Sequence, residues 1–73
     1  MRKIEHIGIA VSNLELANQT YSKILKQQPY KNEVVETEGV RTSFFKCDNV
    51  KIELLEGLDD DNPISNFVKK RGE

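Results

Sequence analysis

The sequence predicts an α+β fold in the order strand, helix, three strands and a short helix. Three observations carry that reading. Lys3 to Val11 and Val50 to Glu56 alternate with period two, with two further short strand-like segments between them; a helical repeat follows the first; and a proline opens a last apolar stripe near the C-terminus. The opening segment, Lys3 to Val11, places Ile7, Ile9 and Val11 on one face with Glu5. Ile4, His6, Gly8 and Ala10 take the other face. The bulky face suits a core, and the small face carries the chain's only histidine.

Ser12-Asn-Leu-Glu15 has the form of a capping box, in which Ser12 accepts from the Glu15 N–H and Glu15 reaches back. Leu14, Ala17, Tyr21, Ile24 and Leu25 then recur at helical spacing. The helix is expected over about residues 13 to 26, ahead of Pro29. Strands are expected at Asn32 to Thr37, Val40 to Cys47 and Val50 to Glu56. Glu38-Gly39 and Asp48-Asn49 are the intervening turns. In the last strand Val50, Ile52 and Leu54 face one way, and Lys51, Glu53 and Leu55 the other. After a polar loop, Asn62 caps a helix with Pro63 at its first position. Ile64, Phe67 and Val68 form its stripe and Gly72 its stop. The expected division is a βαβββ module over 1–56 and a loop with a linker helix over 57–73.

Composition narrows the function. The 73 residues hold 11 Lys+Arg and 12 Asp+Glu, a formal net charge of −1, which argues against a nucleic-acid partner. The apolar run from Ile7 to Val11 is too short for a membrane span. Met1-Arg2-Lys3 resembles the start of a signal peptide, but Glu5 and His6 interrupt any apolar region behind it. The single cysteine, Cys47, is expected at a buried or edge position, and a cytoplasmic setting is the simplest. A chain near this length buries only about 60% of its unfolded surface. An oligomer, or a place within something longer, is therefore expected.

If the first helix covers the Ile7–Val11 and Val50–Leu54 face, His6 and Glu53 share the uncovered one. A lone strand histidine is ordinarily structural, and a strand carboxylate ordinarily solvated. Together they offer one imidazole and one carboxylate, a mixture that Zn²⁺, Co²⁺, Mn²⁺ or Fe²⁺ accepts. A catalytic metal site needs about three protein ligands and an open position. The remaining donors must come from another module. Asp59-Asp60-Asp61 lacks the ligand spacing of a calcium loop and reads as solvated. Lys69-Lys70-Arg71 sits where a helix C-terminus favours cations.

Several segments resemble the first half of the methylmalonyl-CoA epimerases, within the glyoxalase/vicinal-oxygen-chelate superfamily. They are His6-Ile-Gly-Ile-Ala-Val11 with Leu14-Glu15, Glu38-Gly-Val-Arg-Thr-Ser-Phe-Phe45, Lys51-Ile-Glu-Leu-Leu-Glu56 and Pro63-Ile-Ser-Asn-Phe67 through Glu73. The resemblance covers nearly the whole chain. It implies a βαβββ module that pairs with a second one around a divalent metal (Co, Zn or Mn), with His6 and Glu53 as metal ligands. Thr42 and Phe44 are the implied substrate contacts, and an acyl-CoA is the implied substrate. The second module would come from a homo-oligomer or from a C-terminal half that these residues do not include. The implied activity is an isomerase reaction, inversion at C2 of methylmalonyl-CoA, for which the isolated chain lacks an acid/base pair. Where some relatives carry a glutamate after Gly-Val, this chain has Thr42-Ser43. The alternatives are a non-catalytic module that binds a small molecule, or an inactive fragment.

Overall fold

The computed structural model describes residues 5–71. Its elements are β1 (Glu5–Ala10), α1 (Leu14–Leu25), β2 (Lys31–Val35), β3 (Val40–Cys47), β4 (Val50–Gly57) and α2 (Pro63–Arg71). The βαβββ order with a final helix is the one expected. The readings on Met1 to Lys3, Ile4 and Gly72 lie outside the described residues.

The four strands form one sheet in the order β1-β4-β3-β2. β1 runs parallel to β4, and β2–β3 and β3–β4 are antiparallel hairpins. A parallel neighbour requires a crossover, because a two-residue turn cannot reverse the chain twice. Here α1 and the two hairpins supply it. The ladder continues beyond β1, with the Val11 N–H donating to the Leu55 carbonyl at 2.8 Å.

α1 packs on one face of the sheet. The buried core is Val11, Leu14, Phe45 and Leu54, with Ile9, Ala17, Tyr21, Leu25 and Ile52 packed around it. The expected stripe of α1 is mostly right, but Ile24 is exposed, and Ile7 is half-exposed at the sheet's free edge. Ser43, buried on the same side, donates its hydroxyl to Asn32 Oδ1 at 2.7 Å.

The N-cap of α1 is Asn13 rather than Ser12. Asn13 has extended backbone, and its Oδ1 accepts from the Leu16 N–H at 3.0 Å. The helix entry is also held across the fold, since the Leu14 N–H donates to Glu56 Oε1, which Arg41 also contacts. The helix ends at Lys26 in the left-handed conformation. Asn13→Ala is expected to cost about 1 kcal/mol of stability, read as a lowered thermal midpoint.

α2 begins as the sequence indicates. Asn62 Oδ1 accepts from the Ile64 N–H at 2.8 Å. The same buried side chain donates from Nδ2 to the Glu38 and Gly39 carbonyls at 3.1 and 2.8 Å. One asparagine thus ties the β2–β3 turn to the start of α2. Gly39, at φ 67, lies against it, and a Cβ there would come within 2.7 Å of Asn62 Nδ2. Gly-to-Ala stabilises by about 0.4–1 kcal/mol where the backbone is relaxed, but Gly39→Ala is expected to destabilise the protein by about 2 kcal/mol. A urea titration with an unchanged m-value checks this.

α2 packs against β4 and β1. A Cβ on Gly57 would collide with Ser65 Oγ and approach Asn62 Cβ to 3.0 Å. Gly57 alternates with Glu53 and Leu55 along β4, so the first turn of α2 rests on the face away from α1. That face is not open along its whole length: one end is covered by this helix. Phe67 of α2 stays half-exposed, with the Arg71 guanidinium 5.7 Å from its ring centre. Cys47 is exposed at the β3–β4 hairpin, where Asp48 adopts a positive φ of 55.

Candidate functional site

Strand alternation and register turn the face away from α1 into a grid. His6, Lys51 and Lys46 lie side by side across β1, β4 and β3. The next row is Gly8, Glu53, Phe44 and Lys31, and the one after it Ala10, Leu55, Thr42 and Glu33. Adjacent strands are about 4.8 Å apart and adjacent rows about 7 Å. His6 and Glu53 are therefore diagonal neighbours across a parallel pair.

The two side chains meet. His6 Nε2 lies 2.9 Å from Glu53 Oε1, between residues 47 positions apart in the sequence. The expectation that they share a face is fulfilled. Gly8, opposite Glu53, presents no side chain between them. The imidazole is 54% exposed and the carboxylate 19%, so both remain within reach of a ligand from solvent. With the proton on Nε2 the contact is a hydrogen bond, and the same nitrogen presents its lone pair once that proton is lost.

Among the described residues, no cluster of three or more His, Cys, Asp or Glu could hold a metal ion.

Thr42 and Phe44 lie on this face in different settings. Thr42 is 2% exposed, and its Oγ1 is buried with no hydrogen-bond partner among the described residues. Phe44, opposite Glu53, is half-buried. Its ring lies 6.1 Å from that of Tyr30 and 5.5 Å from the Lys31 ammonium. Tyr30 was not singled out from the sequence, since it falls in the turn before β2. Its N–H donates to the Phe44 carbonyl at 2.9 Å, which fixes it there. On the helix side, a cleft of about 260 Å³ is lined by Leu14, Glu15, Asn18, Asn32 and Arg41 among others. Arg41 there is already paired with Glu56, and the cleft contains no histidine.

The profile of the Glyoxalase/Bleomycin resistance protein/Dioxygenase superfamily matches residues 5–73. The chain belongs to this superfamily. It is 37% identical over all 73 residues to an uncharacterised protein of Bacillus subtilis, of which it covers 52%. It is 37% identical over 68 residues to the human mitochondrial methylmalonyl-CoA epimerase, covering 93% of this chain and 39% of that protein. Among solved structures, a hypothetical protein of Bacillus halodurans superposes with a TM-score of 0.88 at 39% identity, over 97% of this chain and 51% of that one. A Streptomyces coelicolor methylmalonyl-CoA epimerase in complex with 2-nitronate-propionyl-CoA also gives 0.88, at 28% identity, covering 100% and 55%. The glyoxalase-like module read from the sequence is thus the fold observed. The chain spans about two fifths to about half the length of the relatives it matches.

Proposed function

We infer that the chain supplies half of a metal-dependent epimerase site, with His6 and Glu53 as its metal ligands. The contact between them carries the reading. Two donors about 2.1 Å from one ion stand about 3.0 Å apart at a right angle and about 3.4 Å apart in a tetrahedron. Nε2 and Oε1 are 2.9 Å apart, so an ion needs to spread them by no more than about half an ångström. The donor set, one imidazole and one carboxylate, suits Co²⁺, Zn²⁺ or Mn²⁺.

The missing donors come from a second βαβββ module, either a second copy of the chain or the second half of a longer protein. Three observations support that. His6 lies on an edge strand of the sheet. Ile7 beside it is half-exposed. The similar epimerases are about twice as long. Two copies about a two-fold axis bring two His6 and two Glu53 together, four donors in all.

The substrate on this reading is methylmalonyl-CoA, the ligand with which one structurally similar epimerase is complexed. The reaction removes a proton α to the thioester carbonyl and returns it to the opposite face. When bound, the metal supplies electrophilic stabilisation of the charge that develops on the thioester oxygen. This chain's residues do the rest of what one half can do. His6 and Glu53 fix the donor geometry, and Phe44 beside Glu53 gives the acyl group an apolar wall. Thr42 and Ser43 carry no ionisable group where a base would stand, so in a pair of copies the proton passes to and from water, and in a longer protein to groups of its second half.

Exchange of the C2 hydrogen of methylmalonyl-CoA in deuterated buffer tests this, with sedimentation run on the same sample. Exchange that needs Co²⁺, stops with EDTA and tracks the dimer fraction is expected. Binding of methylmalonyl-CoA with no C2 exchange at any Co²⁺ concentration would instead mark a sequestering module and overturn the reading.

A further inference from the structure

The face that holds His6 and Glu53 carries a charge pattern that metal binding leaves unused. Lys46 stands directly opposite Lys51, and Lys51 is level with His6 on the next strand. Like charges directly opposite in an antiparallel pair destabilise a sheet. The ion pairs among the described residues are His6–Glu53, Lys31–Glu33 and Arg41–Glu56, so neither lysine is neutralised. Asp48, two residues from Lys46, is in none of these pairs either.

This end of the sheet is well fixed. The Gln27 side chain brackets the Lys46 backbone, donating from Nε2 to its carbonyl at 2.8 Å and accepting from its N–H at 3.4 Å. The other end of the face is closed. Gly57 lies beneath Asn62 and Ser65, and Thr42 and Val40 are buried. A ligand whose reacting end sits at His6 and Glu53 is kept from the Gly57 end, and Lys51 and Lys46 stand at the opposite end of the same face.

We propose that Lys46 and Lys51 form an oxyanion subsite that holds a carboxylate or phosphate group of the ligand reaching His6 and Glu53. The subsite rests on the sheet register. That its occupant is part of an acyl-CoA rests on the function inferred above. Two ammonium groups on adjacent strands share one oxyanion, and the bound anion relieves the repulsion between them. The anion comes either from the free carboxylate of a dicarboxylic acyl group or from a CoA phosphate. Lys51 is one strand spacing from His6, within reach of a short acyl carboxylate.

The test uses the full 73-residue chain without metal, in EDTA and low salt. It is titrated with methylmalonate in one arm and with inorganic pyrophosphate in the other, by calorimetry and by thermal shift. Binding in at least one arm is expected, and the arm that binds names the source. The affinity should fall at least about tenfold in K46Q/K51Q and also on raising the salt, which screens exposed charges. K69Q/K70Q, at the C-terminal end of α2, should bind like wild type. Without ligand, K46Q/K51Q should melt no lower than wild type, because a repulsion has been removed. Failure of both anions to bind wild type, or equal binding by K46Q/K51Q, overturns the proposal. His6→Ala should leave anion binding intact, so a failed metal site and a failed anion site are told apart.

Discussion

His6→Ala is expected to weaken Co²⁺ binding by at least about 100-fold, since even partners that only orient a ligand cost 10–100-fold when lost. The substitution removes the one imidazole and leaves Glu53 as the only donor of the pair. A lone carboxylate is a poor ligand for a borderline ion. The loss should appear in a calorimetric titration and in the visible absorption of bound Co²⁺. The fold should be little disturbed, because the His6 side chain is more than half exposed and lies outside the core. A far-UV spectrum matching wild type makes the comparison clean. Glu53→Gln is expected to weaken binding in the same direction, since an amide is a weaker donor than a carboxylate. Unchanged Co²⁺ affinity in His6→Ala would remove histidine from the site.

Phe45→Ala is expected to unfold most of the protein at 25 °C. Phe45 is fully buried at the centre of the sheet, opposite Ile52, with the Tyr21 ring 6.3 Å away. Truncating a buried Phe costs about 3–5 kcal/mol through lost burial and the cavity left behind. A core of this size supplies no more than about 3–5 kcal/mol of net stability. Circular dichroism should therefore show a baseline near the unfolded value and no cooperative transition. Phe44→Ala, one residue earlier on the half-buried face, should keep a cooperative melt. The pair separates the two faces of β3: a mild Phe45→Ala or a collapsed Phe44→Ala would reverse the assignment.

Much of this was legible in the sequence because strands and helices write their faces locally. Alternation in Ile7-Gly-Ile-Ala-Val11 and Val50-Lys-Ile-Glu-Leu54 put His6 and Glu53 on one face, and the contact at 2.9 Å agrees. The strand order was not legible. That β1 sits beside β4 is decided by packing between segments some 45 residues apart, for which no local pattern codes. The cap of α1 was misplaced by one residue, because Ser12 and Asn13 are both good caps and the backbone turn chooses between them. The lean of α2 over Gly57 was also missed, since a glycine at a strand end does not say what approaches it. The opposed Lys46 and Lys51 could have been found: a two-residue loop at Asp48-Asn49 fixes that register.

The parallel pairing of β1 with β4 also sets the order in which the molecule assembles. The β2–β3 and β3–β4 hairpins can form from neighbours in the chain, whereas β1 must wait for the strand that follows both. Contacts of such long range are slow to close. During synthesis Ile7 and Ile9 emerge first and stay unpaired until residues 50–57 have left the ribosome. His6 and Glu53 therefore come together only once β4 has been made, and a nascent chain that stops short of residue 53 carries only one of the two donors.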